Sequence, residues 1–136
     1  MRMLRRGLLL IVLVCVSGAA LARSSVPIVN LKHNAIPAST GGARTLDEVQ
    51  RAIVAGGERA GHWTVAESSP GRMKLTLTTR SHVAVVEVGY DTQNYSIRYA
   101  DSSNLNYARS GSEELIHPHY NGWVQKLKAS IDRELR

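Results

Sequence analysis

The region from Trp63 to Tyr99 constrains the fold most, because it contains four short segments separated by turn sequences. Apolar and polar residues alternate in three of them, and the third segment, from His82 to Tyr90, is apolar on both faces at Val83–Val86, as expected of a central strand. In the second segment, Met73, Leu75 and Leu77 alternate with polar residues. The turn sequences are Ser69-Pro70-Gly71, Thr79-Arg80-Ser81 and Asp91-Thr92-Gln93-Asn94. Alternation is typical of half-buried strands, and connections this short join only antiparallel neighbours. The pattern therefore predicts a four-stranded antiparallel meander.

A helix is predicted on each side of this meander. Thr45-Leu46-Asp47-Glu48 has the form of a capping box, in which the threonine hydroxyl accepts a hydrogen bond from the glutamate N–H. Gly61 is a natural end for this first helix, and Pro118 suits the start of the second. The apolar stripe of the second helix consists of Tyr120, Trp123, Val124, Leu127, Ile131 and Leu135. The order α-β-β-β-β-α predicts an α+β fold, with both helices on one face of the sheet and the other face open to water.

The first 22 residues have the layout of a secretory signal peptide. Basic residues precede an apolar run from Leu8 to Val16, and the small-x-small sequence Ala20-Leu21-Ala22 follows it. A transmembrane anchor needs about 20 apolar residues, and this run is shorter. We therefore expect cleavage after Ala22, which would leave 114 of the 136 residues as a periplasmic or secreted protein without a transmembrane segment.

An outer-membrane lipoprotein is the alternative, with Cys15 acylated after cleavage before it. A lipobox places a small residue directly before the acylated cysteine, whereas this chain has Val14 there. The departure disfavours lipidation, and the alternative stays open.

Residues 23–44 are predicted to be a flexible leader. They contain two prolines and the pair Gly41-Gly42, without sustained periodicity. Apolar residues such as Val26 and Leu31 would nevertheless allow part of the leader to add along a sheet edge. The single α+β domain is expected over residues 45–136.

Charge and cysteine content exclude several classes of function. Loss of Arg2, Arg5 and Arg6 with the signal peptide lowers the formal net charge from +6 to +3, so we predict no nucleic-acid partner. Cys15 is the single cysteine of the chain. The mature domain would therefore contain no disulfide, thiol nucleophile or cysteine metal site, and we expect no cofactor.

His117 and His119 are the clearest candidates for chemistry, because two histidines so close in sequence can ligate a transition metal. Pro118 stands between them and would start a helix, which directs the two rings differently. Only Glu113 and Glu114 lie nearby as further ligands. We therefore favour a structural role, in which His117 caps the helix and His119 lies exposed on its first turn.

A polar loop and one sheet face form the remaining candidate surface. Asp101, Ser102 and Asn104 could line a binding loop, although short polar side chains in a turn more often satisfy backbone groups. Lys74 and Arg98 would lie on the open face of the sheet and could contact an anionic partner. Together with His117 and His119, these residues are the predicted ligand or partner surface.

Three strings occur in the second half of the chain. They are Tyr95-Ser96-Ile97-Arg98-Tyr99, Asp101-Ser102-Ser103-Asn104-Leu105 followed by Tyr107, and Ile116-His117-Pro118-His119-Tyr120-Asn121-Gly122-Trp123-Val124. In these strings the chain resembles a family of small, largely uncharacterised exported proteins and lipoproteins of proteobacteria, over about residues 44–135. The resemblance implies an exported location and a compact α/β architecture, and it implies no activity.

These observations predict a non-enzymatic binding or adaptor protein of the cell envelope. Its partner would be another envelope component: a protein, peptidoglycan or a lipid headgroup. A serine hydrolase is disfavoured because the sequence has no Gly-x-Ser-x-Gly elbow. The alternative is a small enzyme or metal-dependent factor that uses His117, His119 and the loop from Ser102 to Asn104.

The mass of the mature N-terminus separates the export alternatives. We expect mass spectrometry of the exported protein to find Arg23 as the first residue, because the cleavage sequence ends at Ala22. A diacylated Cys15 at the N-terminus would contradict this expectation and establish the lipoprotein.

Overall fold

The computed structural model describes residues 24–136, so the predicted cleavage at Ala22 and the lipidation alternative at Cys15 lie outside the described residues. The α+β class is confirmed. Two helices and eight strands in two antiparallel sheets make up the described part of the chain. In chain order they are β1 (Val26–Pro27), β2 (Leu31–Ala35), α1 (Leu46–Arg59), β3 (Thr64–Ser69), β4 (Arg72–Thr79), β5 (His82–Tyr90), β6 (Asn94–Ser103), β7 (Ala108–Ser110), β8 (Glu113–Ile116) and α2 (His119–Glu134).

The predicted meander is present as β3 to β6 in a larger sheet of order β2-β6-β5-β4-β3. Its register places Leu75 opposite Val86 and Val88 opposite Ile97, and all four side chains are buried. The alternating residues on the other face, such as Lys74, are half-buried or exposed. The meander therefore has one apolar face that packs into the core and one polar face, as its sequence pattern predicts.

The prediction of four strands in the order α-β-β-β-β-α is wrong in strand number. In the leader, β2 adds a fifth strand to the meander, with Leu31 opposite Ile97. The stretch 101–117, which lies between the predicted meander and the second predicted helix, contains the hairpin β7–β8, which turns at Gly111 with φ of +63°. Strand β1 pairs with β8 to complete a second sheet of order β1-β8-β7. The strands that sequence patterns did not predict, β1, β2, β7 and β8, have two to five residues each, which is too few for alternation to be recognised.

Both helix boundaries follow their sequence signals. Thr45 caps α1, and its Oγ1 accepts a hydrogen bond from the Glu48 N–H at 3.1 Å, as predicted. Gly61 follows the end of α1 with φ of +125°, a left-handed conformation that favours glycine. Helix α2 begins directly after Pro118. Neither helix in residues 24–136 has the length and apolarity needed to cross a membrane.

Two adjacent glycines of α1 set how closely the elements pack. A Cβ atom on Gly56 would lie 2.8 Å from backbone atoms of Ile131, so α1 and α2 are in direct backbone contact there. A Cβ atom on Gly57 would lie 3.3 Å from the Cβ of Trp63 and 3.5 Å from a methyl of Leu75. The first glycine thus allows the helices to approach each other, and the second allows α1 to lie on the sheet.

We expect Gly56→Ala to lower the free energy of unfolding by about 1–3 kcal/mol, because the added methyl group collides with backbone that can move only with the whole helix. Chemical denaturation measures the change. The matched control is Gly122→Ala in α2, where a Cβ would have no atom within 4 Å. The control should raise stability by up to about 1 kcal/mol through helix propensity. Equal effects of the two substitutions would contradict the close helix contact.

Candidate functional site

A groove with a volume of about 700 Å³ lies between α1 and β3. Its apolar lining residues are Val54, Ala55, Trp63 and Val65, and its polar lining residues are Asp47, Gln50, Arg51, Glu58 and Thr64. We call this surface the edge groove. Val54 and Val65 are 40% and 42% exposed, so they are large apolar side chains that remain in contact with water in this structure. A pocket lined by apolar groups with a few polar ones at its sides is the usual form of a binding site.

The edge groove follows from the short connection between α1 and β3. The Trp63 N–H donates to the Gly57 carbonyl at 3.0 Å, so the chain reverses directly after the helix. Farther along, Gln50 Nε2 donates to Ser68 Oγ at 3.1 Å. Contacts at both positions show that α1 and β3 run side by side in opposite directions. The helix therefore forms one wall of the groove and the strand forms the other.

Strand β3 is an edge strand of the five-stranded sheet. It pairs with β4 on one side, and all six of its residues are exposed. Its register with β4 shifts between Val65 and Glu67, which is a local bulge. An edge strand presents unpaired backbone N–H and C=O groups that can pair with another chain. The edge groove thus combines apolar side chains with free backbone groups.

The charged groups around the edge groove are mostly acidic. Asp47 lies 3.5 Å from Arg51, and Glu58 Oε1 lies 2.8 Å from the Nδ1 of His62. Two carboxylates and one guanidinium line the groove. The lining thus carries a small excess of negative charge, and each of its carboxylates lies near a basic side chain.

Lys74 and Arg98, the predicted cationic surface, lie in a row of alternating charges across the open face. The row runs from Glu67 to Lys74, Glu87 and Arg98 through directly paired positions on β3 to β6. Lys74 Nζ is 3.4 Å from a Glu67 carboxylate oxygen, and Arg72 lies 4.0 Å from Glu87. Because each cation has an acidic neighbour, these side chains do not form a basic patch.

Asp101 and Ser102 bond to groups in their own strand. The Asp101 carboxylate accepts a hydrogen bond from the Ser102 N–H at 2.8 Å, and the Ser102 hydroxyl lies 2.7 Å from the Tyr99 hydroxyl. A nucleophilic serine needs a base within hydrogen-bond distance. The group next to this hydroxyl is a phenol whose pKa is raised, chiefly by burial. The phenol therefore keeps its proton near neutral pH and cannot take the proton of the serine.

Asn104 joins a histidine cluster that the sequence suggests only in part. Its carbonyl accepts a hydrogen bond from His82 Nδ1 at 2.7 Å. The His82 ring lies 6.0 Å from the His117 ring, and the His117 ring lies 4.6 Å from the His119 ring. Trp123 lies 6.3 Å from His82 and 6.2 Å from His119. His82 was not a sequence candidate, because its approach to Asn104 at the open end of the β5–β6 hairpin is not visible from its position in the sequence.

Hydrogen bonding limits what the histidine cluster can do. The His119 N–H donates to His117 Nδ1 at 3.1 Å, which is the helix-capping contact expected for His117. This bond occupies the Nδ1 lone pair and leaves the proton of a neutral ring on Nε2, so neither nitrogen presents a free lone pair to a metal. Among residues 24–136, no three histidine, cysteine or acidic side chains are arranged to hold a metal ion.

A cluster of tyrosines packs beside these loops. The Tyr99 and Tyr107 rings stack with centroids 4.7 Å apart, and Tyr120 meets Tyr99 edge-on at 5.8 Å. Tyr107 donates to a Glu114 carboxylate oxygen at 2.7 Å. Burial raises the pKa of Tyr120 well above its ordinary value. The pKa of Tyr95 is also raised, chiefly by burial and further by the hydrogen bond to Asp132 and the charge of that carboxylate.

No family model, curated protein or solved structure matches the chain. The resemblance to exported proteins of proteobacteria therefore stays a prediction from short strings of sequence.

The buried tyrosines predict how stability depends on pH. Because the folded state favours the neutral phenols of Tyr95 and Tyr120, their contribution is complete below about pH 10 and declines as the pH rises further. Absorbance at 295 nm should show that these two tyrosines ionise only together with the loss of far-ultraviolet circular dichroism. We also expect Tyr120→Phe to move alkaline unfolding to higher pH. Full ionisation of all five tyrosines near pH 10 in the folded protein would contradict their burial.

Proposed function

We propose that this chain is an exported, non-enzymatic binding protein of the cell envelope and that it contacts its partner through the edge groove. The observation that carries the proposal is the groove itself, in which the exposed Val54 and Val65 lie beside an edge strand. Exposed apolar groups next to unpaired backbone are a liability for a free protein, and a binding partner would cover both.

The other candidate surfaces support the proposal because their polar groups bond within the chain. Lys74 has an acidic partner, the Ser102 hydroxyl bonds to a tyrosine, and His117 caps a helix. A catalytic site requires a nucleophile, base or metal ligand that is free to meet a substrate. The edge groove instead presents apolar side chains, unpaired backbone groups and a few charged groups. Such groups suit the binding of a partner, not catalysis.

The proposed location is the periplasm, and it rests on the sequence of residues 1–22. The basic residues, apolar run and cleavage sequence favour removal of this segment, and Val14 disfavours lipidation of Cys15. Such a protein would meet its partner as a free domain in the envelope. The leader would follow directly from the cleavage site.

Site-specific photocrosslinking in cells that export the full chain tests the proposal. A photoreactive side chain placed at Val54 or Val65 should yield a reproducible adduct with one envelope component, because both positions line the groove and are exposed. The matched control is Gln125, an exposed position on α2. The absence of any adduct from Val54 and Val65, or the same adducts from Gln125, would contradict a partner at the edge groove.

A further inference from the structure

We infer that the edge groove receives an extended, basic peptide segment of the partner, which adds to the sheet as a sixth strand alongside β3. This inference rests on the proposed function and specifies the chemistry of the partner. In strand addition, backbone hydrogen bonds to a sheet edge supply affinity, and alternate side chains entering a neighbouring pocket supply specificity. The edge groove offers both elements within one surface.

The dimensions of the two walls match an extended segment. Asp47, Arg51, Val54 and Glu58 recur at helical spacing on α1 and line the groove. From Asp47 to Glu58 the helix advances by eleven positions, which corresponds to about 16 Å along its axis. An extended chain rises about 3.3 Å per residue, so about five residues of peptide fit along this wall. Strand β3 has six residues and runs beside the same wall.

The register of β3 shows where the side chains of an added strand would point. Val65 pairs with Leu75, whose side chain is buried, so Val65 lies on the side of the sheet that packs against the helices. Thr64 pairs with Thr76 on the opposite side. Beside Val65, an added strand would alternate in the same way, so every second side chain there would enter the space between β3 and α1. The bulge between Val65 and Glu67 shifts this register farther along β3. Val54, Ala55 and Trp63 line that space and favour small apolar side chains.

The charges of the groove indicate which residues the bound peptide would carry between its apolar side chains. Asp47 and Glu58 line the groove near its two ends with Arg51 between them, so the charged groups of the lining are two carboxylates and one guanidinium. A peptide with lysine or arginine between its apolar residues would bring cations to these carboxylates. A second copy of this chain fits less well, because pairing two β3 edges would bring together two grooves that each carry an excess of carboxylates.

Three five-residue peptides with blocked ends test the inference on the purified mature protein. The first alternates valine and lysine, the second replaces both lysines by glutamate, and the third is the lysine peptide with proline at its centre. We expect the lysine peptide to bind at least about tenfold more tightly than the glutamate peptide. The proline peptide should bind about tenfold more weakly than the lysine peptide, because proline lacks a backbone donor.

Nuclear magnetic resonance titration locates the binding. Amide shifts should concentrate in β3 and in the α1 residues that line the groove, and β3 amides should gain protection from hydrogen exchange. The variant Val54→Lys should weaken binding of the lysine peptide about tenfold, because it places a cation in the groove. The matched variant Gln125→Lys adds the same charge on α2, outside the groove, and should leave binding nearly unchanged.

The outcomes separate this inference from the proposed function. Equal binding of the lysine and glutamate peptides, or shifts at β2 instead of β3, would overturn the inference. So would β3 amides already protected in a dimer of the free protein, which would identify a second copy as the occupant. If no peptide binds while Val54 and Val65 still crosslink to one envelope component, strand addition is wrong and the proposed function stands.

Discussion

The close contact between Gly56 and Ile131 is the constraint on which the arrangement of the helices depends. The backbones of α1 and α2 are in contact there, and the next residue, Gly57, packs against Trp63 and Leu75 on the sheet side. Helix α1 then lies beside β3, and its outer surface becomes a wall of the edge groove. Larger side chains at these two positions would push α1 away from α2 and from the sheet. The groove is thus a consequence of core packing as much as of surface composition.

Sequence reasoning predicted the meander and both helices because their signals are local. Alternation over eight to ten residues defines β4, β5 and β6, and the Thr45 cap fixes the start of α1. The missed strands depend on distant partners. Strand β1 has two residues and is held beside α2 by a hydrogen bond from the Val29 N–H to Asn121, 92 positions away. No local pattern indicates such a contact.

The candidate site was predicted less well, for the same reason. The capping role of His117 follows from its neighbours in sequence and is present. His82 joins the cluster through its bond to Asn104, across a hairpin that sequence spacing does not position. The edge groove was missed entirely, because Val65 belongs to a segment predicted to be a half-buried strand and only the sheet order shows that this strand is an edge. The available signal was the position of Val54 outside the stripe formed by Leu46, Val49 and Ile53.

Exposed valines and an unpaired strand edge meet at one surface, and this combination distinguishes the edge groove from the polar open face of the sheet. Residue-by-residue hydrogen exchange on the free mature protein tests most directly whether that edge is open. The account predicts that β3 amides paired with β4 exchange slowly, whereas those pointing away from β4 exchange at nearly the rate of an unfolded chain. Slow exchange on both sides of β3 would show that the edge is already covered, and it would contradict the account.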